Sequence, residues 1–137
     1  MHKSSQSFSK DLIKWFKNNR RDMPWRKNPS LYRVWISEIM LQQTRVEQAT
    51  PHFNRWIKTF PSLKSLINSN EQDILKAWEG LGYYSRARNI YKSAQIIKKQ
   101  HNGRFPRDPI FIESLPGIGP YTKAAICSIS LNLDFAV

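Results

Sequence analysis

The sequence predicts an all-α fold, and three observations carry that prediction. Apolar residues recur at three- and four-residue spacing in segment after segment. No stretch alternates convincingly at period two, as a half-buried strand would. Helix-start and helix-stop residues punctuate the chain at ordinary helix lengths. There is no internal repeat, low-complexity tract or flexible linker.

Taken in order, Phe8, Leu12, Trp15 and Phe16 form a first amphipathic stripe. "NPS" then precedes "LYRVWISEIMLQQT", residues 31–44, whose apolar side chains fall on every side of a helix. Such a helix belongs inside a protein. Thr50 reads as an N-cap with Pro51 at the first helical position, and Phe53, Trp56, Ile57 and Phe60 as the inner face. Asn70 caps "EQDILKAW", whose acidic first turn suits the helix dipole. "EGLGYYS" interrupts the pattern before a long helix with Ala87, Ile90, Tyr91, Ala94 and Ile97 on one side, which ends at "HNG" with Gly103 as the stop. Asp108-Pro109 opens a short helix, "PGIGP" breaks it, and a last helix runs from Pro120 towards Leu131.

The length of 137 residues suits one domain with its own core. Against 10 Asp+Glu stand 22 Lys+Arg, a net charge of +12. That excess points to a polyanion partner, nucleic acid first, with a merely solubilising surface as the alternative. One cysteine, Cys127, excludes internal disulfides and any cysteine-only metal cluster in this chain. In "AAICSISL" it reads as a small buried thiol, and no metal ligand is expected. "MHKSSQSFSKDL" lacks the apolar core of a secretory signal, and no run reaches the ~18 apolar residues of a membrane span. A soluble, intracellular protein is therefore expected.

Glu38 is the anomaly. An ionised carboxylate in an all-apolar helix is costly unless it is paired or neutralised. Either it pairs with a buried arginine such as Arg26 or Arg33, or it is held as a proton donor. "LPGIGPYTKAA" reads as two helices joined by a tight hairpin, with Ile118 plugged into the core and outward amides suited to phosphate oxygens. An ordinary helix–helix turn is the bland alternative. "LGYYSRARN" combines aromatic stacking surfaces with Arg86 and Arg88, although aromatics at a helix start equally serve a core. In "MLQQT" paired glutamines end the buried helix, where they could probe base edges or fill the gap left by a displaced base.

With "PWR", these stretches occur in the order and at the spacing found in one family. From about Phe8 to Val137 the chain resembles the helix-hairpin-helix DNA glycosylases, and within them the adenine DNA glycosylases of the MutY type. The resemblance implies a six-helix barrel at residues 21–137, with the hairpin motif at about 108–131, and an extra N-terminal helix at 1–20. It implies base-excision repair of adenine mispaired with 8-oxoguanine or guanine in double-stranded DNA, by a monomeric enzyme. In a bacterium that enzyme would be cytoplasmic and nucleoid-associated.

Carried over by position, the resemblance makes Glu38 the catalytic acid, with Tyr121 near it. Trp25, Arg26, Leu41 and Val46 would line the base pocket. Gln42, Gln43 and Thr44 would enter the duplex, and Tyr83 would wedge beside 8-oxoguanine on the turn of Gly82 and Tyr84. Arg86 and Arg88 would hold phosphates, as would the hairpin of Gly117, Ile118 and Gly119. The sister enzymes of endonuclease III type carry a nucleophilic lysine where this chain has Tyr121. Lys123 lies about 200° further round the helix, so hydrolysis without a Schiff base is expected.

The chain also departs from the pattern. Neither Asp134 nor any other aspartate matches the family's catalytic aspartate, and the four-cysteine iron–sulfur module and the C-terminal domain are not in this sequence. The expectation is an N-terminal portion of a larger enzyme that by itself binds DNA weakly and excises nothing. An endonuclease III-like glycosylase and a catalytically silent hairpin module are the alternatives.

Overall fold

The computed structural model describes residues 30–135 and contains seven helices and no strand among them. The stripe at Phe8–Phe16, the limits of the 1–20 segment, Trp25 and Arg26 lie outside the described residues. Helix α1 (Leu31–Leu41) starts where Ser30 accepts the Arg33 amide through its side chain, and nine of its residues are buried. It is wrapped by α2 (Val46–Thr59), which packs on it from one side, and α7 (Pro120–Phe135), which packs on it from another. Helix α5 (Ser85–Gln100) packs against α3 (Leu63–Ile67) and α4 (Glu71–Ala77), and α6 (Pro109–Ser114) lies against α7.

Three tryptophans fill the centre. Trp35, Trp56 and Trp78 are fully buried, and Trp56 meets the Trp78 ring edge-on at 5.8 Å. Edge-to-face contact suits the ring quadrupoles. Two of the three indole N–H groups are satisfied: Trp78 Nε1 donates to the Gly82 carbonyl at 2.9 Å, and Trp56 Nε1 donates to the Tyr32 hydroxyl at 3.0 Å, which donates to the Phe60 carbonyl at 2.6 Å. This latter chain of bonds ties α1 to the C-terminal end of α2.

Most helix boundaries follow the punctuation. Asn70 accepts the Asp73 amide through its side chain, and Asp108 accepts the Ile110 amide ahead of Pro109. The Gly103 amide closes back onto the Ile97 carbonyl at 3.1 Å with Gly103 at φ +76°.

One boundary needs correction. Thr50-Pro51 does not open α2; that helix begins at Val46, and Pro51 stands inside it. The buried face Ala49, Phe53 and Trp56 runs at helical spacing across Pro51, and packing overrides the one missing N–H because the proline is exposed. Thr50 Oγ1 bonds back to the Val46 carbonyl at 2.8 Å instead of capping. Helix α3 went unread in the sequence. Its signal is a reciprocal capping pair, Ser62 and Ser65.

Candidate functional site

Glu38 sits on the last turns of α1 and is only 2% exposed. Its Oε1 has no hydrogen-bond partner. Burial pushes the carboxyl up to about 8. A guanidinium beside it would hold the carboxyl low instead, and burial is the influence that dominates here; Arg26, one of the two arginines expected as a partner, lies outside the described residues. A buried acid that keeps its proton near neutral pH can act as a proton donor.

Three loops gather at the C-terminal end of α1. The first is the Gln42–Arg45 loop itself. Gln42 donates through Nε2 to the Gly117 carbonyl at 3.3 Å and to Thr122 Oγ1 at 2.9 Å. This fastens the loop to the second element, the 115–119 hairpin. Gln42 is thus a joint between loop and hairpin, and the neighbouring Gln43, exposed at φ +60°, is the glutamine that projects outward. The third element is the Gly82–Tyr84 turn. Tyr83 there is 63% exposed at φ +47° and Tyr84 is 39% exposed, so both rings are surface groups and not core.

The hairpin is anchored from behind. Ile118 is buried, and Ser93 Oγ donates to the Pro116 carbonyl at 3.1 Å. Gly117 has φ +86°, and a Cβ there would come within 3.1 Å of Asn89 Cβ on α5. The backbone conformation calls for glycine, and a Cβ would in addition crowd Asn89 by a few tenths of an ångström. Gly117→Ala is expected to cost about 1–3 kcal/mol through the left-handed backbone alone, read as a lower urea midpoint at unchanged m-value. Gly119 faces open space, next to the first α7 amides, which have no helical acceptor. Tyr121 is 47% exposed in that same first turn. Leu41 and Val46 are half-buried at either end of the Gln42–Arg45 loop, and Arg88 is exposed on α5.

Arg86 is a correction. The expected phosphate-binding side chain is 7% exposed, and its guanidinium is turned inward onto backbone carbonyls. Nη1 donates to Ile39 and Met40 at 3.1 Å each and also to Gln42; Nη2 donates to Thr44 Oγ1 at 3.2 Å, Leu81 at 3.3 Å and Gly82 at 3.5 Å. The Ile39, Met40 and Gln42 carbonyls are among the acceptors that a helix C-terminus leaves over. Locally only the Gln42 amide reaches back, to Glu38 and Ile39, and the last turn of α1 has no basic side chain of its own. Sequence spacing hides the partnership, since the residues involved are 44 to 47 positions apart.

Lys123 forms an ion pair with Glu113 at 3.0 Å, on the outer side of α6 and α7. Cys127 is half-buried, and burial raises its thiol. An iron–sulfur cluster takes four thiolates, which one cysteine cannot supply. No group of three His, Cys, Asp or Glu stands together among the described residues. No helix among the described residues is long and apolar enough to cross a membrane.

An all-helical barrel with a glycine hairpin, a buried acid and an exposed aromatic turn defines a helix-hairpin-helix protein. The chain belongs to the HhH-GPD superfamily of base excision DNA repair proteins, whose family profile matches residues 36–128. It is 54% identical over 131 residues, 95% of this chain, to the adenine DNA glycosylase of Buchnera aphidicola subsp. Acyrthosiphon pisum. It is 35% identical over 135 residues to the adenine DNA glycosylase of Homo sapiens. The chain spans 37% and 25% of the lengths of those two relatives. Among solved structures, a thermostable thymine-DNA glycosylase superposes at TM-score 0.73 with 25% identity, covering 96% of this chain and 61% of that one. A trapped endonuclease III–DNA covalent intermediate shares the fold at TM-score 0.71 and 18% identity, covering 96% of this chain and 61% of that one.

Proposed function

We propose that the chain is the acid-bearing part of an adenine DNA glycosylase, which hydrolyses the N-glycosidic bond of adenine mispaired with 8-oxoguanine or guanine. The observation that carries this reading is Glu38: a protonated carboxyl in an apolar helix, at the end of which an exposed glutamine, an exposed tyrosine and a glycine hairpin converge. In the reading, adenine leaves the stack and Glu38 delivers its proton to N7. The bond from sugar to N9 then breaks with its electron pair going to the base, and water adds to the sugar carbon while giving up a proton that restores the Glu38 carboxyl. Leu41 and Val46, with Trp25 and Arg26, enclose the base. Gln43 and Tyr83 fill the space that the duplex opens, while Gly117, Gly119 and the first α7 amides grip phosphates. The carboxylate that steadies the sugar cation is the aspartate that the resemblance sets beyond Val137, and an iron–sulfur cluster belongs there too.

The test is single-turnover adenine release from an adenine:8-oxoguanine duplex by the chain extended past Val137. Release well above that from an undamaged duplex supports the reading; none sinks it. With Tyr121 at the position where the endonuclease III type carries its lysine, borohydride should trap no substantial covalent adduct. A strong trapped band lost in Lys123→Ala would transfer the chain to the endonuclease III-like branch. Arg88, exposed beside the Tyr83 turn, takes over the phosphate role expected of Arg86. Arg88→Ala should weaken binding to any duplex and flatten the salt dependence by about one unit; an unchanged slope would count against that contact.

A further inference from the structure

We propose that Arg86 is a positioning residue that locks the Gln42–Thr44 loop and the Gly82–Tyr83 turn into one rigid unit, so that both meet a duplex in fixed register. This rests on the functional reading above for what the unit meets, but the locking itself is visible without DNA. The guanidinium donates to three acceptors of α1 and its loop and to two carbonyls of the turn, with Thr44 Oγ1 as a sixth acceptor. Its Cζ lies 5.1 Å from the Trp78 ring centroid and 5.5 Å from that of Tyr83. Each of the two segments holds a non-glycine residue at positive φ, Gln43 at 60° and Tyr83 at 47°. Such a conformation persists only where surrounding contacts over-determine it, and here one side chain supplies contacts to both segments. A lysine could not replace it, because an ammonium has three donors on one point and no flat face.

A cap that merely stabilised α1 would make a different prediction from a lock. Thr44→Val removes one acceptor on the first loop and leaves the core intact. If Arg86 couples the segments, amide exchange should rise at residues 81–84 as well as at 42–45. Arg86→Lys should raise exchange in both segments by about tenfold or more, with α2 and α4 still protected. Faster exchange confined to the Thr44 loop in Thr44→Val, or spread over the whole fold in Arg86→Lys, overturns the lock. Should Arg86→Lys fail to fold, Thr44→Val decides alone.

A duplex with 2-aminopurine beside the mispair supplies the functional readout. Wild type should raise its fluorescence on binding, and Arg86→Lys should bind with the same salt slope yet give less than half that rise. A slope smaller by about one unit would make Arg86 a phosphate contact and overturn the proposal, as would a full fluorescence rise. Wild type that binds every duplex without any rise would sink the functional reading instead, and the exchange data would still decide the lock.

Discussion

Glu38→Gln, in the chain extended past Val137, should bind an adenine:8-oxoguanine duplex as wild type does and lose base excision by about 100- to 10,000-fold, the usual worth of a positioned proton donor. Glutamine has nearly the same shape, so the packing around position 38 survives, but an amide has no proton to give at N7. The pH profile adds a second expectation. With its carboxyl near 8, Glu38 stays protonated through neutrality. Excision limited by this acid should therefore hold up to about pH 8 and fall about tenfold per unit above it. Single-turnover rates from pH 6 to 9.5 measure both. Near-normal excision by Glu38→Gln, or a wild-type rate that is flat across pH 8, would remove the acid role.

What the sequence revealed, and what it hid, divides along the range of the interactions concerned. Asn70, Asp108 with Pro109, and Gly103 act within two helical turns of themselves, and each ends or starts its helix where its chemistry says it should. Pro51 misled because a local rule was outvoted by a face, Ala49, Phe53 and Trp56, that only tertiary packing reveals. Arg86 misled for the same reason on a larger scale. In "YYSRARN" two arginines look alike, and nothing local says that one reaches inward to α1 while the other stays in solvent. Gln42 likewise spends its amide on Gly117 and Thr122, some 75 to 80 residues away. Glu38 was legible because its oddity is local: a carboxylate surrounded in sequence by Trp35, Ile36, Ile39 and Met40 has to be explained wherever the helix packs.

Glu38 should also make the fold less stable as pH rises through the range in which it works. In the unfolded chain the carboxyl titrates near its ordinary 4.5, and in the folded protein near 8. Between those values the folded state binds more protons than the unfolded state, so unfolding free energy falls with rising pH. The favourable contribution is full below about 4.5, is lost steadily up to about 8, and changes no further above it. Each pH unit in that window is worth about 1.4 kcal/mol, so the whole window amounts to roughly 4–5 kcal/mol. That is a large share of the 5–15 kcal/mol typical of a domain. Glu38→Gln has no such titration. Urea unfolding of both proteins from pH 4.5 to 8.5 should show the wild type losing several kcal/mol relative to the variant, with the difference growing steadily and then levelling off near pH 8. Other titrating groups are common to the two proteins and cancel in that difference. A constant gap would mean that the folded state ionises Glu38 as readily as water does, and the proton-donor reading would fall with it.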